Sequence, residues 1–268
     1  MKIRTVMDDN ICGEGLCAEH GFCVYVETKN HKLLVDTGQS HRTWDNARTK
    51  GIKLEDIDTV VLSHGHYDHS GGLMSFAEIN PTATIYMRTN AGGEYYSARS
   101  QVHYIGIDKR IEQLPNLILI DRDMEIDSEL SVFTGVTERR LWPAGNKILF
   151  RKENDELIQD DFSHEQYLVI KDEDGEYVLI SGCAHNGVLN ILEKFRNVYN
   201  CNPKLVVSGF HMIKKEYHEQ DICDIRTVAE ELKKMDTTFF TGHCTGEQAY
   251  DILKSILGEK LHPLTELY

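Results

Sequence analysis

Residues 64–69 read His-Gly-His-Tyr-Asp-His, which places three imidazoles and one carboxylate within six residues. Neutral imidazole and carboxylate suit zinc, and also iron, manganese or nickel. Donors this close along a chain cannot easily surround one ion, because the backbone would have to wrap it. In an extended or tightly turned segment His64 and His66 point to one side, Asp68 falls on the next turn and His69 leaves in another direction. The spacing therefore predicts two ions, one held by His64 and His66 and the other by Asp68 and His69. Paired metals about 3.5–4 Å apart are a standard device for hydrolysing esters, phosphoesters and amides.

Rigid elements must position these donors. The apolar run Thr59-Val60-Val61-Leu62 reads as a buried strand, and Ser63-His64-Gly65 as the turn that leaves it. The same local pattern recurs three times. Tyr177-Val178-Leu179-Ile180 runs into Ser181-Gly182-Cys183-Ala184-His185, Lys204-Leu205-Val206-Val207 into Ser208-Gly209-Phe210-His211, and Thr237-Thr238-Phe239-Phe240 into Thr241-Gly242-His243-Cys244. Neighbouring strands are thus expected to deliver ligands to one sheet edge, at their C-terminal ends, where open α/β sheets place their sites. Apolar residues at helical spacing follow each of the last three turns, for example Val188, Leu189, Leu192 and Phe195, which implies helices covering the outside of a sheet. Upstream, residues 22–26 and 32–35 read as a hairpin that ends at Asp36-Thr37-Gly38. Asp36 is placed there to orient a ligand histidine through its other ring nitrogen; the plain alternative is an Asx turn. Helices are expected over residues 43–50 and 71–79, the second presenting its amide end to the site.

The composition, 41% apolar and 27% charged over 268 residues, is that of an ordinary globular chain. With five prolines and no Gly/Ser-rich linker, a single domain is expected over residues 1–268. Residues 88–165 form an irregular insertion. Its aromatic and basic residues, Arg99, His103 and Tyr104 among them, could cover a substrate or could simply be core tyrosines and solvated cations. A net charge of −14 argues against a nucleic-acid partner. No apolar run approaches the ~18–20 residues of a membrane span, and residues 1–9 carry no apolar leader. Seven cysteines without a Cys-x-x-Cys pair fit a reducing compartment, so a cytoplasmic location is expected. Oligomeric state is not legible.

With these motifs in view, the chain resembles the metallo-β-lactamase superfamily. Residues His64 to His69 match its His-x-His-x-Asp-His signature at every defined position, and Asp36-Thr37-Gly38 resembles its Asp-x-Gly. The resemblance covers essentially the whole chain. It implies an α/β fold of the αββα sandwich type, two mixed β-sheets face to face with helices on both outer faces and a two-metal site at one edge. The turns around Cys183, His211 and His243 are similar to a branch named after 7,8-dihydropterin-6-methyl-4-(β-D-ribofuranosyl)-aminobenzene-5'-phosphate synthase. The resemblance implies two divalent ions, zinc before iron, manganese or nickel, with His64 and His66 on one and Asp68, His69 and His243 on the other. The family's bridging carboxylate usually follows a glycine; here Gly182-Cys183 stands in that place, so Cys183 bridges as a thiolate or leaves the bridge to water. His185 is read as the third ligand of the first ion, with His164 as the alternative and Glu165 a further one for iron. The implied activity is hydrolysis of a small, anionic ester, phosphoester or lactone. Asp68 would orient the nucleophile, and His211 would protonate the leaving group or contact a substrate anion. The alternative is a transferase or synthase acting on a pterin-like phosphate.

Overall fold

Successive side chains of a strand point to opposite faces, and here each strand sorts its apolar residues accordingly. The computed structural model describes residues 1–99 and 101–267. One six-stranded sheet runs in the order Lys2–Met7, Cys23–Glu27, Lys32–Val35, Thr59–Val61, Thr84–Arg88, Leu117–Ile120. Its first three strands pair antiparallel and the rest parallel. The seven-stranded sheet runs Leu261–Pro263, Thr238–Thr241, Leu205–Val207, Tyr177–Ile180, Gln166–Lys171, Leu130–Thr134, Met124–Glu125, parallel in its first four strands and antiparallel beyond.

Val24, Val26, Leu33 and Val35 of the first sheet meet Leu168, Ile170, Val178 and Ile180 of the second in one buried layer. The intervening residues Tyr25 and Leu34 face outward and pack under Trp44, Ala47, Leu73 and Phe76, from helices Arg42–Thr49 and Leu73–Ile79. On the other side Tyr167, Val169 and Leu179 pack under Leu192, Phe195, Leu232 and Leu253, from helices Val188–Tyr199, Glu219–Lys233 and Glu247–Leu257. The result is the αββα sandwich. Among the described residues no helix is long and apolar enough to cross a membrane.

Two features differ from the sequence expectations. The helix expected from residue 71 begins at Leu73, and Tyr67–Ser70 forms a separate turn inside the histidine motif. Glycine is needed at 71 and 72 for close approach: a Cβ there would come within 2.0 Å of the Gln39 carbonyl oxygen and 2.3 Å of that of Thr37. The amide end beside the site therefore belongs to a single turn. Residues 88–165 are also more regular than expected. They supply outer strands to both main sheets and build the whole of a four-stranded antiparallel sheet, in the order Glu156–Gln159, Leu149–Glu153, Tyr95–Ser97, His103–Tyr104.

Candidate metal centre

Val35 and Val61 are register partners at the ends of adjacent parallel strands, so Asp36 and Ser63 leave the sheet near one another. Asp36 turns with a left-handed φ of 60°. Its buried carboxylate accepts from the Ser63 amide at 2.7 Å, the Ser63 hydroxyl at 2.6 Å and His69 Nδ1 at 2.6 Å. Because the Ser63 hydroxyl proton goes to Asp36, His64 Nδ1 donates to Ser63 Oγ at 2.8 Å. Both imidazoles thus carry their proton on Nδ1 and turn a bare Nε2 into the site. Gly182, from the opposite sheet, closes this contact; a Cβ there would sit 2.1 Å from Ser63 Oγ.

His64 Nε2 lies 3.0 Å from His66 Nδ1. His185 faces them, its ring centroid 4.9 Å from each of theirs. Its Nδ1 meets Asn146 Oδ1 at 3.0 Å, its ring stacks on Phe162 at 4.4 Å, and its Nε2 is buried with no hydrogen-bond partner. Glu165 holds this turn by accepting the backbone amides of His185 and Asn186 at 2.6 and 2.9 Å.

A second group forms around Asp68. His243 adopts a left-handed φ of 47°, donates its amide to Asp8 Oδ1 at 2.7 Å, and sets Nδ1 against Asp9 Oδ1 at 2.6 Å. Its buried Nε2 has no hydrogen-bond partner and faces Asp68 Oδ2 at 3.4 Å. His69 Nε2 lies 3.7 Å from the same oxygen and 3.1 Å from Cys183 Sγ. Cys183 is common to both groups: its sulfur and donor atoms of His64 and His185 lie within 4.8 Å of one another, and so do its sulfur and those of His69 and His243.

Burial, aided by the neighbouring imidazoles, pushes His64 and His185 well below the ordinary histidine pKa, and pushes His66 down to about 3. These rings are neutral lone-pair donors at physiological pH. Burial opposes the charge of Asp68, but His69, His20 and His243 outweigh it and hold the carboxyl well below its usual range. Burial and the adjacent Cys244 push the Cys183 thiol up, so a thiolate there requires a cation beside it.

Buried nitrogens without partners are unfavourable in a protein on its own. Here three histidine Nε2 atoms, of His66, His185 and His243, share that condition at one edge. Coordination would relieve it. Zinc–nitrogen bonds of about 2.0–2.1 Å in a tetrahedron separate neighbouring donors by about 3.3 Å, close to the 3.4 Å between His243 Nε2 and Asp68 Oδ2. The donor set fits a divalent cation.

The other sequence candidates are placed differently. His164 uses both ring nitrogens: Nδ1 accepts from the Gly65 amide at 3.0 Å and Nε2 meets Asp160 at 3.1 Å. It buttresses the His64–His66 turn and offers no free nitrogen. Glu165 is occupied at both oxygens, with Tyr167 and the Asn186 side chain as further donors. His211 lies beside His185 with ring centroids 4.1 Å apart and the rings tilted by 52°, and its Nδ1 is buried without a partner. Four residues were missed: Asp8, Asp9, His20 and Asn146. Asp8-Asp9 follows the strand Lys2–Met7 just as Asp36 follows its own strand, a signal that was present. Nothing local marks Asn146.

His66, Asp68, Cys183, His185 and His243 line a cleft of about 200 Å³ together with His20 and His211, and His103 of the small sheet and Arg99, just past its strand Tyr95–Ser97, add to its wall.

Residues 18–121 match the metallo-beta-lactamase superfamily. The chain is similar over nearly its whole length to the crystal structure of Tm1679, described as a metal-dependent hydrolase of the beta-lactamase superfamily. Identity is 32% and the TM-score 0.79, covering 97% of this chain and 94% of that one. Two proteins of Methanocaldococcus jannaschii are also similar. One, an uncharacterized protein, is 28% identical over 94% of this chain and 93% of its own length. The other, named 7,8-dihydropterin-6-methyl-4-(beta-D-ribofuranosyl)-aminobenzene-5'-phosphate synthase, is 26% identical over 93% and 89%. Signature, sandwich and whole-length similarity agree: the chain belongs to the metallo-β-lactamase superfamily.

Proposed function

We propose that this chain is a metal-dependent hydrolase of a small anionic ester, phosphoester or lactone, with a dinuclear site that takes zinc in preference to iron, manganese or nickel. The observation that carries this reading is the convergence of histidine nitrogens from both sheets on the Cys183 sulfur, with those of His185 and His243 buried and unpartnered. His64, His66 and His185 would hold one ion, Asp68, His69 and His243 the other, with Cys183 between them. Divalent ions supply Lewis acidity toward water and toward a substrate oxygen near neutral pH.

The chain supplies the rest. Asp36, Asn146 and Asp9 fix the tautomers of His69, His185 and His243 by taking their Nδ1 protons. Asp68, charged at all working pH values, accepts a hydrogen bond from the attacking water and orients it. His211, on the cleft wall beside His185, carries a proton to the leaving group. Arg99 makes no ion pair with any carboxylate among the described residues and, with His103, faces a substrate anion from the cleft wall.

A second reading, synthesis with a pterin-like phosphate, is favoured by the name of the second Methanocaldococcus relative. One assay separates the two. Zinc-loaded protein is offered chromogenic acetate, phosphodiester and lactone substrates, and in parallel an activated dihydropterin with ribofuranosylaminobenzene 5'-phosphate. Hydrolysis that disappears with bound metal in His66→Ala supports the first reading. Condensation without hydrolysis supports the second. A metal-free His66→Ala protein with full activity would overturn both.

A further inference from the structure

Asp9 holds two imidazoles. Its Oδ1 meets His243 Nδ1 at 2.6 Å, and its Oδ2 meets His20 Nδ1 at 2.8 Å. Both rings then turn Nε2 toward one atom, Asp68 Oδ2, at 3.4 Å from His243 and 3.3 Å from His20. The ring centroids are 4.9 Å apart. With Nδ1 of each ring held by Asp9, both Nε2 atoms and an anionic oxygen converge on one point. Positive charge among the three atoms stabilises such a convergence. One divalent cation satisfies all three, and it also gives a partner to His243 Nε2, which is buried and has none.

The segment carrying His20 is built to sit there. Gly21 adopts φ 158°, and a Cβ on it would come within 2.8 Å of the Asp68 carbonyl oxygen. The next amide, of Phe22, donates to that same carbonyl at 3.3 Å. The loop is docked on the backbone of Asp68 itself, which brings His20 to the cleft side of the second group while leaving its side chain 48% exposed.

We infer that His20 is a further nitrogen donor to the cation held by Asp68 and His243, and that Asp9 is the positioning residue for both imidazoles. The inference rests on the two-metal reading above and extends its second half with a ligand from the N-terminal loop.

Metal alone tests it, without substrate. The apoprotein is titrated with zinc against a chromophoric competitor, and with cobalt(II) while its visible absorption is recorded. In His20→Ala the affinity for one equivalent should fall about 100-fold and the cobalt bands of that equivalent should change in intensity, with the other equivalent unchanged as the control for folding. Asp9→Asn should weaken the same equivalent about 10-fold, within the range for a residue that orients a ligand. Identical affinities and cobalt spectra in wild type and His20→Ala would overturn the assignment of His20 while leaving the two-metal reading intact. A wild-type protein that binds only one equivalent overturns that reading, and this inference with it.

Discussion

Asn146 grips His185 at both ends: Oδ1 lies 3.0 Å from the ring Nδ1, and Nδ2 donates to the His185 carbonyl at 2.7 Å. Both residues are buried. The amide thereby selects the tautomer that leaves Nε2 bare and fixes the ring plane against Phe162. In Asn146→Ala the Nδ1 proton loses its partner, at a cost to stability of about 1–3 kcal/mol. Metal affinity should fall about 10–100-fold. Thermal unfolding of the apoprotein and a zinc titration measure the two effects separately.

Gly182 and Ser63 bind the two sheets at the site. A methyl group at 182 would overlap the Ser63 hydroxyl and approach Asp36 Oδ2 to 3.1 Å. Neither neighbour can move freely, because the hydroxyl and the carboxylate are hydrogen bonded to each other and to His64 and His69. Gly182→Ala should therefore destabilise the fold by about 1–3 kcal/mol and should also weaken metal binding, since the displaced groups set two tautomers. A destabilised variant with wild-type zinc affinity would show that the network does not orient His64 and His69.

The strand-end residues were readable because their signal is local. An apolar run, a small hydroxyl residue, a glycine and a histidine repeat within a few residues of one another, and the parallel register carries them to one edge. The residues that orient them arrive from afar. Asn146 is 39 positions from His185, and Asp9 is 234 from His243. No periodicity encodes such pairs; they exist only once the sandwich has closed. The small sheet was illegible for a similar reason. Tyr95–Ser97 finds its partner in Leu149–Glu153, across more than fifty residues. Its strands are short and their burial is uneven, from the mostly buried Tyr95–Ser97 to the exposed His103–Tyr104, so no sustained alternation marks them.

Away from the site, His31 gives stability a pH dependence. Its Nδ1 meets Asp58 Oδ1 and its Nε2 meets Asp127 Oδ2, both at 2.7 Å, and the side chain is 17% exposed. Burial opposes its protonation, but the two carboxylates outweigh burial and raise its pKa above the ordinary 6.5. A raised folded pKa means that the contribution is full below about pH 6.5, where both states are protonated, and declines as pH climbs through the folded value. His31→Gln should therefore cost about 1 kcal/mol or less near pH 6, and progressively less at alkaline pH. Urea unfolding of both proteins at several pH values checks the sign; a difference that grew with pH would contradict it.

Metal removal should be felt as lost stability as well as lost activity. The donors come from turns of both sheets: His64, His66, Asp68 and His69 follow Thr59–Val61, while Cys183 and His185 follow Tyr177–Ile180 and His243 follows Thr238–Thr241. Cations held by these donors would be bound only in the folded chain, so each adds directly to folding stability, by about 4 kcal/mol when free metal exceeds its dissociation constant a thousandfold. A chelator should lower the unfolding temperature of the wild-type protein and restore it on adding zinc. In His66→Ala the chelator-induced shift should shrink, because part of the linkage is gone. The apo form of that variant loses the buried His64 Nε2–His66 Nδ1 contact at 3.0 Å, so the shift is read against the variant's own apo unfolding temperature. An unfolding temperature indifferent to both chelator and zinc would mean that these nitrogens hold no ion at all.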